Sequence, residues 1–210
     1  VLVGDFNTKE VKPLIAEKFG AWKKNNIPEK IEYPEKDFDG RELVERKLSP
    51  IKLGMLGFRT PENGHKDEIA MEVCNGILSN ETSSGLLDQL AIDNKVMAVQ
   101  LLPITYNDYG CNIILIIPKI IGQKLEDAEA MVMEKLTKLR KGDFDEWMVD
   151  AIKMELYKDY QLSMESNEYK ATIFASTFGQ GKKMEEIFLY PEKLKKITKE
   201  DVIRIANKYY

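Results

Sequence analysis

At 210 residues, 43% hydrophobic and 31% charged, the chain is long and apolar enough to bury a substantial core as one large or two small domains. Its net charge of −4 gives no electrostatic case for binding nucleic acid. No apolar run approaches the roughly 20 residues that a membrane-spanning helix needs. Two cysteines, Cys74 and Cys111, are too few for a disulfide scaffold and leave the compartment open, periplasm and cytoplasm alike.

The chain opens at Val1, without an initiator Met, inside an apolar run. This reads as a fragment or a processed product whose first strand, Val1 to Val3, is cut short. Thr8 is placed to cap a helix carrying Val11, Leu14, Ile15 and Phe19 at helical spacing, with Gly20 as its stop. From residue 23 to 42 prolines and charges predict an extended connector. Leu43 to Leu48 alternates as an edge strand would. Ile51 to Phe58 reads as a strand buried on both faces. Its two glycines, Gly54 and Gly57, suggest close approach of a crossing helix or of a ligand.

A helix from Lys66 follows, with Ile69, Val73 and Ile77 beside Ala70, Cys74 and Leu78 as its apolar stripe. The polar loop Asn80 to Gly85 ends it, and Leu86 to Ala91 begins a second, shorter helix. Met97 to Leu102 and Cys111 to Ile117 form a hairpin, with Asn107, Asp108 and Gly110 in its turn. The remainder is helical. Leu125, Ala128, Val132, Leu136 and Leu139 define one helix, stopped at Gly142. Asp143 and Glu146 have capping-box spacing ahead of a long helix through Phe144, Met148, Ile152, Leu156 and Tyr160. Tyr169 to Phe178 continues as helix, Leu189-Tyr190-Pro191 reads as a turn, and Thr198 caps a last helix with Val202, Ile205, Ala206 and Tyr209 inward. The order implies an α+β fold, with helices on one face of an antiparallel sheet.

No catalytic constellation is visible. A catalytic zinc site takes about three protein ligands and leaves one position open. The one histidine, His65, has no second histidine to complete H-x-x-E-H or H-E-x-x-H. Cys74 and Cys111 lie at buried positions, where cysteine acts as a small hydrophobe. Ser83 and Ser84 lack a G-x-S-x-G elbow, and capping a helix suits them better than nucleophilic attack. The sequence therefore assigns this chain no catalytic, cofactor-binding or metal-binding residue. Asn80, Ser83, Ser84, Tyr106 and Tyr109 remain as a candidate surface for a substrate or partner.

Several segments together carry a family resemblance. Val1-Leu2-Val3-Gly4-Asp5-Phe6 with Lys18-Phe19-Gly20 resembles the opening "VVGD … FG" of the second domain of M16 peptidases, the insulinase, pitrilysin and processing-peptidase family. Leu56-Gly57-Phe58-Arg59-Thr60-Pro61 with Ala70 to Leu78 is similar to "GF-x-x-P … LEVLN-x-x-L". Ser83-Ser84-Gly85-Leu86 to Leu90 resembles "S-S-R-L-x-x-x-L-R-E", and Ile197 to Val202 with Lys208-Tyr209-Tyr210 resembles "T-x-E-D-V … A-x-K-Y". Gly85 stands where the family usually has Arg, and Ala91-Ile92 where it has R-E. Asn94 to Met97 replaces "GLAY".

The resemblance implies an M16-like α+β domain spanning residues 1–210, of the type without metal ligands, forming part of a peptide chamber. Its partners would be a peptide substrate, the catalytic domain and the other half-molecule. Zn2+ would be held by H-x-x-E-H and a later Glu in that catalytic domain, outside this chain. The altered loop leaves a second expectation open, an assembly domain of a catalytically inactive relative.

Overall fold

Alternating apolar residues in three segments give the chain its sheet. The computed structural model describes residues 1–26, 28–29, 31, 40–47, 50–80 and 82–210. Among them, β1 (Gly54–Thr60), β2 (Ala98–Thr105) and β3 (Gly110–Ile117) form a three-stranded sheet in the order β1-β3-β2. Both pairings are antiparallel. Phe58 and Pro103 flank Asn112, while Leu56 and Leu101 flank Ile114. The sheet is thus the antiparallel one expected, with β1 shifted from the predicted Ile51–Phe58.

Period two decides which side is buried. Leu56, Phe58, Val99, Leu101, Ile114 and Ile116 point to one face and join the core. Helices α2 (Glu68–Leu78), α4 (Leu125–Lys141) and α8 (Lys199–Tyr209) cover that face. Their apolar stripes are those the spacing predicts. Val73, Cys74, Ile77 and Leu78 of α2, Ala128, Val132, Leu136 and Leu139 of α4, and Val202, Ile205 and Ala206 of α8 are inaccessible to solvent. Gly142 ends α4 with φ of 70°, a left-handed cap that favours glycine.

The opposite face of β1 departs from expectation. Ile51, Leu53 and Met55 are exposed, Met55 by 62%, while the core shared with the helices lies on the other side. A Cβ on Gly54 would come within 2.8 Å of Leu125 Cδ1, so the close approach of a crossing helix holds there. At Gly57 it would meet only Cys111 Sγ at 3.9 Å.

The remaining helices of this layer are α3 (Asp88–Ile92), α5 (Trp147–Glu165), α6 (Asn167–Gly179) and α7 (Glu185–Lys195). Helix α7 overturns the predicted turn at Leu189 to Pro191. Proline deletes one helical hydrogen bond, yet Ile187 and Leu194 are buried on either side of it and hold the helix through Pro191. Asp143 and Glu146 form no capping box, since α5 starts only at Trp147 with no side-chain cap. Asp145 instead accepts a hydrogen bond from Trp147 Nε1 at 3.1 Å.

The chain divides into two compact units, residues 49–210 with Val1, and residues 2–48. In the second, α1 (Thr8–Phe19) is capped by Asn7, not Thr8, with Asn7 Oδ1 accepting from the Lys9 amide at 3.0 Å. The asparagine precedes the first turn by one residue, where its carbonyl reaches the unpaired amides. Gly20 follows the helix as expected, and Phe19 meets Trp22 edge to face at 5.0 Å. Val1 to Val3 and Leu43 to Lys47 form no strand, against expectation. An extended segment becomes a strand only when a neighbour takes its backbone hydrogen bonds. Leu48 and half of the predicted connector, residues 27, 30 and 32–39, lie outside the described residues.

Thr198 caps α8 as predicted. Its Oγ1 accepts from the Asp201 amide at 3.2 Å, and the Asp201 carboxylate accepts from the Thr198 amide at 3.2 Å. Thr198→Ala removes half of this reciprocal pair and should cost about 1 kcal/mol, read as a lower urea midpoint at unchanged slope.

Candidate functional site

A groove of about 400 Å³ opens where the end of the sheet meets α2 and α5. Thr60, Pro61, Pro103, Thr105 and Asn112 come from the sheet side, Glu68, Glu72, Asn75 and Asn80 from α2 and its end, and Glu155, Leu156 and Asp159 from α5. Four carboxyl side chains therefore line one groove. Helical spacing accounts for it, because Glu68 and Glu72, like Glu155 and Asp159, are four residues apart and share a helix face.

Burial separates the roles of these groups. Desolvation pushes the carboxyl of Glu72 up to about 7, against the hydrogen bond it accepts from Tyr190, and Glu68 adds to the rise. Tyr190 donates from its hydroxyl to Glu72 Oε2 at 2.7 Å. Asn112 is 1% exposed in an otherwise apolar strand. Its Nδ2 donates to Asn75 Oδ1 at 2.7 Å and to the Tyr210 hydroxyl at 2.5 Å, and that hydroxyl donates to Asn75 Oδ1 at 2.8 Å. These bonds compensate the desolvation of a buried amide. Burial above all raises the Tyr210 hydroxyl well beyond the ordinary tyrosine range.

A second polar centre sits at the start of α2. Asp67 is 1% exposed and accepts from Arg204 Nη1 at 2.8 Å, Lys208 Nζ at 2.9 Å and Tyr209 Oη at 3.0 Å, all from α8. Burial pushes its carboxyl up, and the hydrogen bonds from Lys208, Arg204 and Tyr209 more than reverse this, holding it far below the usual carboxylate range. Sequence reasoning missed both Asp67 and Asn112. The one signal was Arg204 and Lys208, spaced four apart on a helix that otherwise shows an apolar stripe.

The five candidate surface residues fall in two separate loops. Asn80 lines the groove, and its Oδ1 accepts from Thr82 Oγ1 at 2.8 Å, the Ser84 amide at 3.1 Å and Ser84 Oγ at 3.2 Å. Ser83 carries a left-handed φ of 54°. Neither serine caps α3, whose N-cap is Leu87. The Asp88 carboxylate performs the loop's capping instead, accepting from the Asn80 and Gly85 amides at 3.0 Å each and from Ser79 Oγ at 2.7 Å. A full carboxylate reaching back outcompetes a hydroxyl for these amides. Tyr106 and Tyr109 flank the β2–β3 turn, Tyr106 exposed and Tyr109 half-buried beneath the Arg59 guanidinium at 4.8 Å.

The described His and Cys residues do not fit zinc. His65 Nδ1 already accepts from the Asp67 amide at 3.0 Å, and Cys74 is fully buried, with desolvation holding its thiol in the protonated form. Among the described residues, no group of three or more His, Cys, Asp or Glu side chains is placed to hold a metal ion. No helix among them is long and apolar enough to cross a membrane.

Comparison with known proteins fits these features. The family described as the peptidase M16 inactive domain matches residues 1–156. A relative in Helicobacter pylori, the zinc protease PqqE, is 25% identical over 220 residues, covering all of this chain and 48% of the relative. The crystal structure of a protease from Helicobacter pylori superposes with a TM-score of 0.85 at 22% identity, covering 99% of this chain and 50% of that one. A peptidase M16 inactive domain from Pseudomonas fluorescens gives 0.76 at 16% identity, covering 99% of this chain and 49% of that one. The periplasmic protease PqqL from Escherichia coli gives 0.68 at 15% identity, with 98% and 23% covered. The chain thus spans about half the length, or less, of these proteins. With the match running through three quarters of its residues, the chain belongs to the peptidase M16 inactive-domain family.

Proposed function

We propose that this chain is a non-catalytic domain of an M16 zinc metallopeptidase and forms part of the wall of its peptide chamber. The observation that supports this most is the apolar face of the sheet turned away from the core. Met55 is exposed, and Leu102, Ile104, Ile113, Leu115 and Ile117 are half-buried on the face that alternates with the core-facing residues. An apolar sheet face of this kind suits extended peptide laid across it, and large exposed apolar surface marks an interaction site. On this reading residues 1–210 form one domain, with residues 23–42 as a connector within it. Asn80, Ser83, Ser84, Tyr106 and Tyr109 supply polar and aromatic contacts at its rim. Zinc and the catalytic Glu come from the catalytic domain of the parent, and this chain supplies shape and enclosure.

The test is reconstitution. The chain alone is expected to bind no stoichiometric zinc by elemental analysis and to cleave no peptide. Mixed with the catalytic half of its parent, it should raise chelator-sensitive cleavage of unstructured peptides at least about tenfold, through substrate positioning. Tight zinc binding with chelator-sensitive proteolysis by this chain alone would overturn the proposal.

A second reading, an assembly domain of an inactive M16 relative, is favoured by one observation. Asn80, Thr82 and Ser84 hydrogen-bond to one another within the loop, and Gly85 stands where the family usually has Arg. A parent that lacks H-x-x-E-H and a downstream Glu, with no encoded partner that has them, decides for this reading.

A further inference from the structure

The sequence holds two Asn-Gly pairs, Asn63-Gly64 and Asn75-Gly76. A glycine that follows asparagine leaves its backbone nitrogen open to the asparagine side-chain carbon, because no Cβ stands in the way. The fold treats the two pairs differently. Gly76 lies inside α2, and a Cβ there would come within 2.5 Å of Ile152 Cγ2 of α5. Asn75 Oδ1 is held by Asn112 Nδ2 and by the Tyr210 hydroxyl. The amide between them belongs to the hydrogen-bond ladder of the helix, so this pair is locked.

Asn63-Gly64 sits in the loop from β1 to α2, with Gly64 exposed at a φ of 85°. The Gly64 amide donates to Glu68 Oε2 at 2.8 Å. Lys182 Nζ donates to Asn63 Oδ1, and its stem lies against Gly64, where a Cβ would meet Lys182 Cε at 2.7 Å. The Asn63 amide is anchored on the Tyr106 carbonyl at 2.9 Å. A carboxylate thus faces the backbone nitrogen of Gly64, and an ammonium faces the side-chain oxygen of Asn63. Attack of that nitrogen on the asparagine Cγ requires the nitrogen to lose a proton and the oxygen to take up charge.

We propose that Asn63-Gly64 is a self-deamidation site, at which Glu68 takes the proton from the Gly64 nitrogen and Lys182 stabilises the oxyanion formed on Asn63. The Gly64 nitrogen bonds to Asn63 Cγ, the Cγ–Nδ2 bond breaks, and the proton leaves with Nδ2 as ammonia. Water then opens the cyclic imide, at one carbonyl to give aspartate and at the other to give isoaspartate. Both side chains act where charge and protons move in the bond-making step, which is where such groups accelerate a reaction. The product carries a new carboxylate one turn before Glu68, beside the groove that Thr60, Pro61 and Glu68 help to line. The isoaspartate form also adds a methylene to the backbone between β1 and α2. The site is independent of the chamber reading, because every group in it belongs to this chain.

The test follows the whole chain during warming at neutral pH, by peptide mapping that separates asparagine, aspartate and isoaspartate at both pairs. In the folded chain Asn63 should convert at least about tenfold faster than Asn75, which has to wait for α2 to open. In urea, where both pairs are released, the two rates should converge. The Asn63 rate should also fall below its folded value, since Glu68 and Lys182 are no longer held in position. Glu68→Gln should slow Asn63 about tenfold or more in the folded chain. Folded conversion at Asn63 that is no faster than at Asn75, or no faster than in urea, would overturn the proposal. So would a Glu68→Gln variant that converts at the wild-type rate or above. The first two comparisons use the unmodified protein and decide the matter if the variant does not fold.

Discussion

Replacing Asp67 by alanine should lower the unfolding free energy by about 2–3 kcal/mol, measured by urea denaturation at neutral pH. The side chain is enclosed at the start of α2 and receives three donors from α8, so its removal unties two of the helices that cover the sheet. The magnitude follows from burial on each side of the pair. Truncating one member of a fully buried pair costs about 3–5 kcal/mol, because the other charge is stranded. Here Arg204 and Lys208 are each 49% exposed and can turn to water, which brings the cost down. Tyr209 loses its acceptor as well. A loss below about 1 kcal/mol would class the cluster with ordinary surface pairs.

The same substitution carries a pH signature. A carboxyl held far below its ordinary range stabilises the fold fully above that range, and the contribution disappears as pH falls through the native value. Asp67→Ala should therefore flatten the acid limb of the stability curve. Glu72 acts with the opposite sign, since its raised carboxyl favours the fold at low pH and opposes it as pH rises.

Gly85→Arg, which restores the residue usual in the family, should destabilise the domain by about 2–4 kcal/mol, visible as a large fall in thermal midpoint. A Cβ at Gly85 would meet the Leu78 carbonyl oxygen at 2.4 Å and its carbon at 2.6 Å. Both are backbone atoms at the end of α2, which cannot swing aside as a side-chain tip can. The surrounding chain is pinned to that helix end, with the Leu86 amide donating to Ile77 at 2.9 Å and the Leu87 amide to Leu78 at 2.8 Å. Making room breaks these bonds and the one from the Gly85 amide to Asp88. Gly85→Ala should cost nearly as much, because the collision is at Cβ. A tolerated arginine would mean that the loop relocates without loss.

Periodic packing was the part of the fold most legible in the sequence. The stripes of α2, α4 and α8 were read residue by residue, because a period of 3.6 over three or more turns admits one inward face. The hairpin was legible from its alternation and turn residues. What escaped depended on partners distant in the chain. Nothing local to Pro191 reveals that Ile187 and Leu194 are gripped by other helices. The alternation in Ile51 to Phe58 cannot state which face lacks a cover. At the groove, Asn80 is legible through its loop, but nothing local marks Glu72 or Glu155, which only folding brings to one groove. Asp67 and Asn112 were hidden for the same reason, since the partners of Asp67 come from the last helix and those of Asn112 from α2 and the residue that follows the last helix.

The strand order carries a consequence for how the sheet assembles. The two strands joined by the short turn at Tyr106 to Tyr109 are neighbours in both sequence and space, so they can zip together locally. Among the described residues, the strand Gly54–Thr60 pairs with the far side of that ribbon and has two helices and the strand Ala98–Thr105 between it and its mate. Its loop-closure entropy is charged before any pairing rewards it. Assembly therefore runs from the ribbon outward, and the outer strand that carries exposed Met55 is the last to arrive and the first exposed to association with other chains.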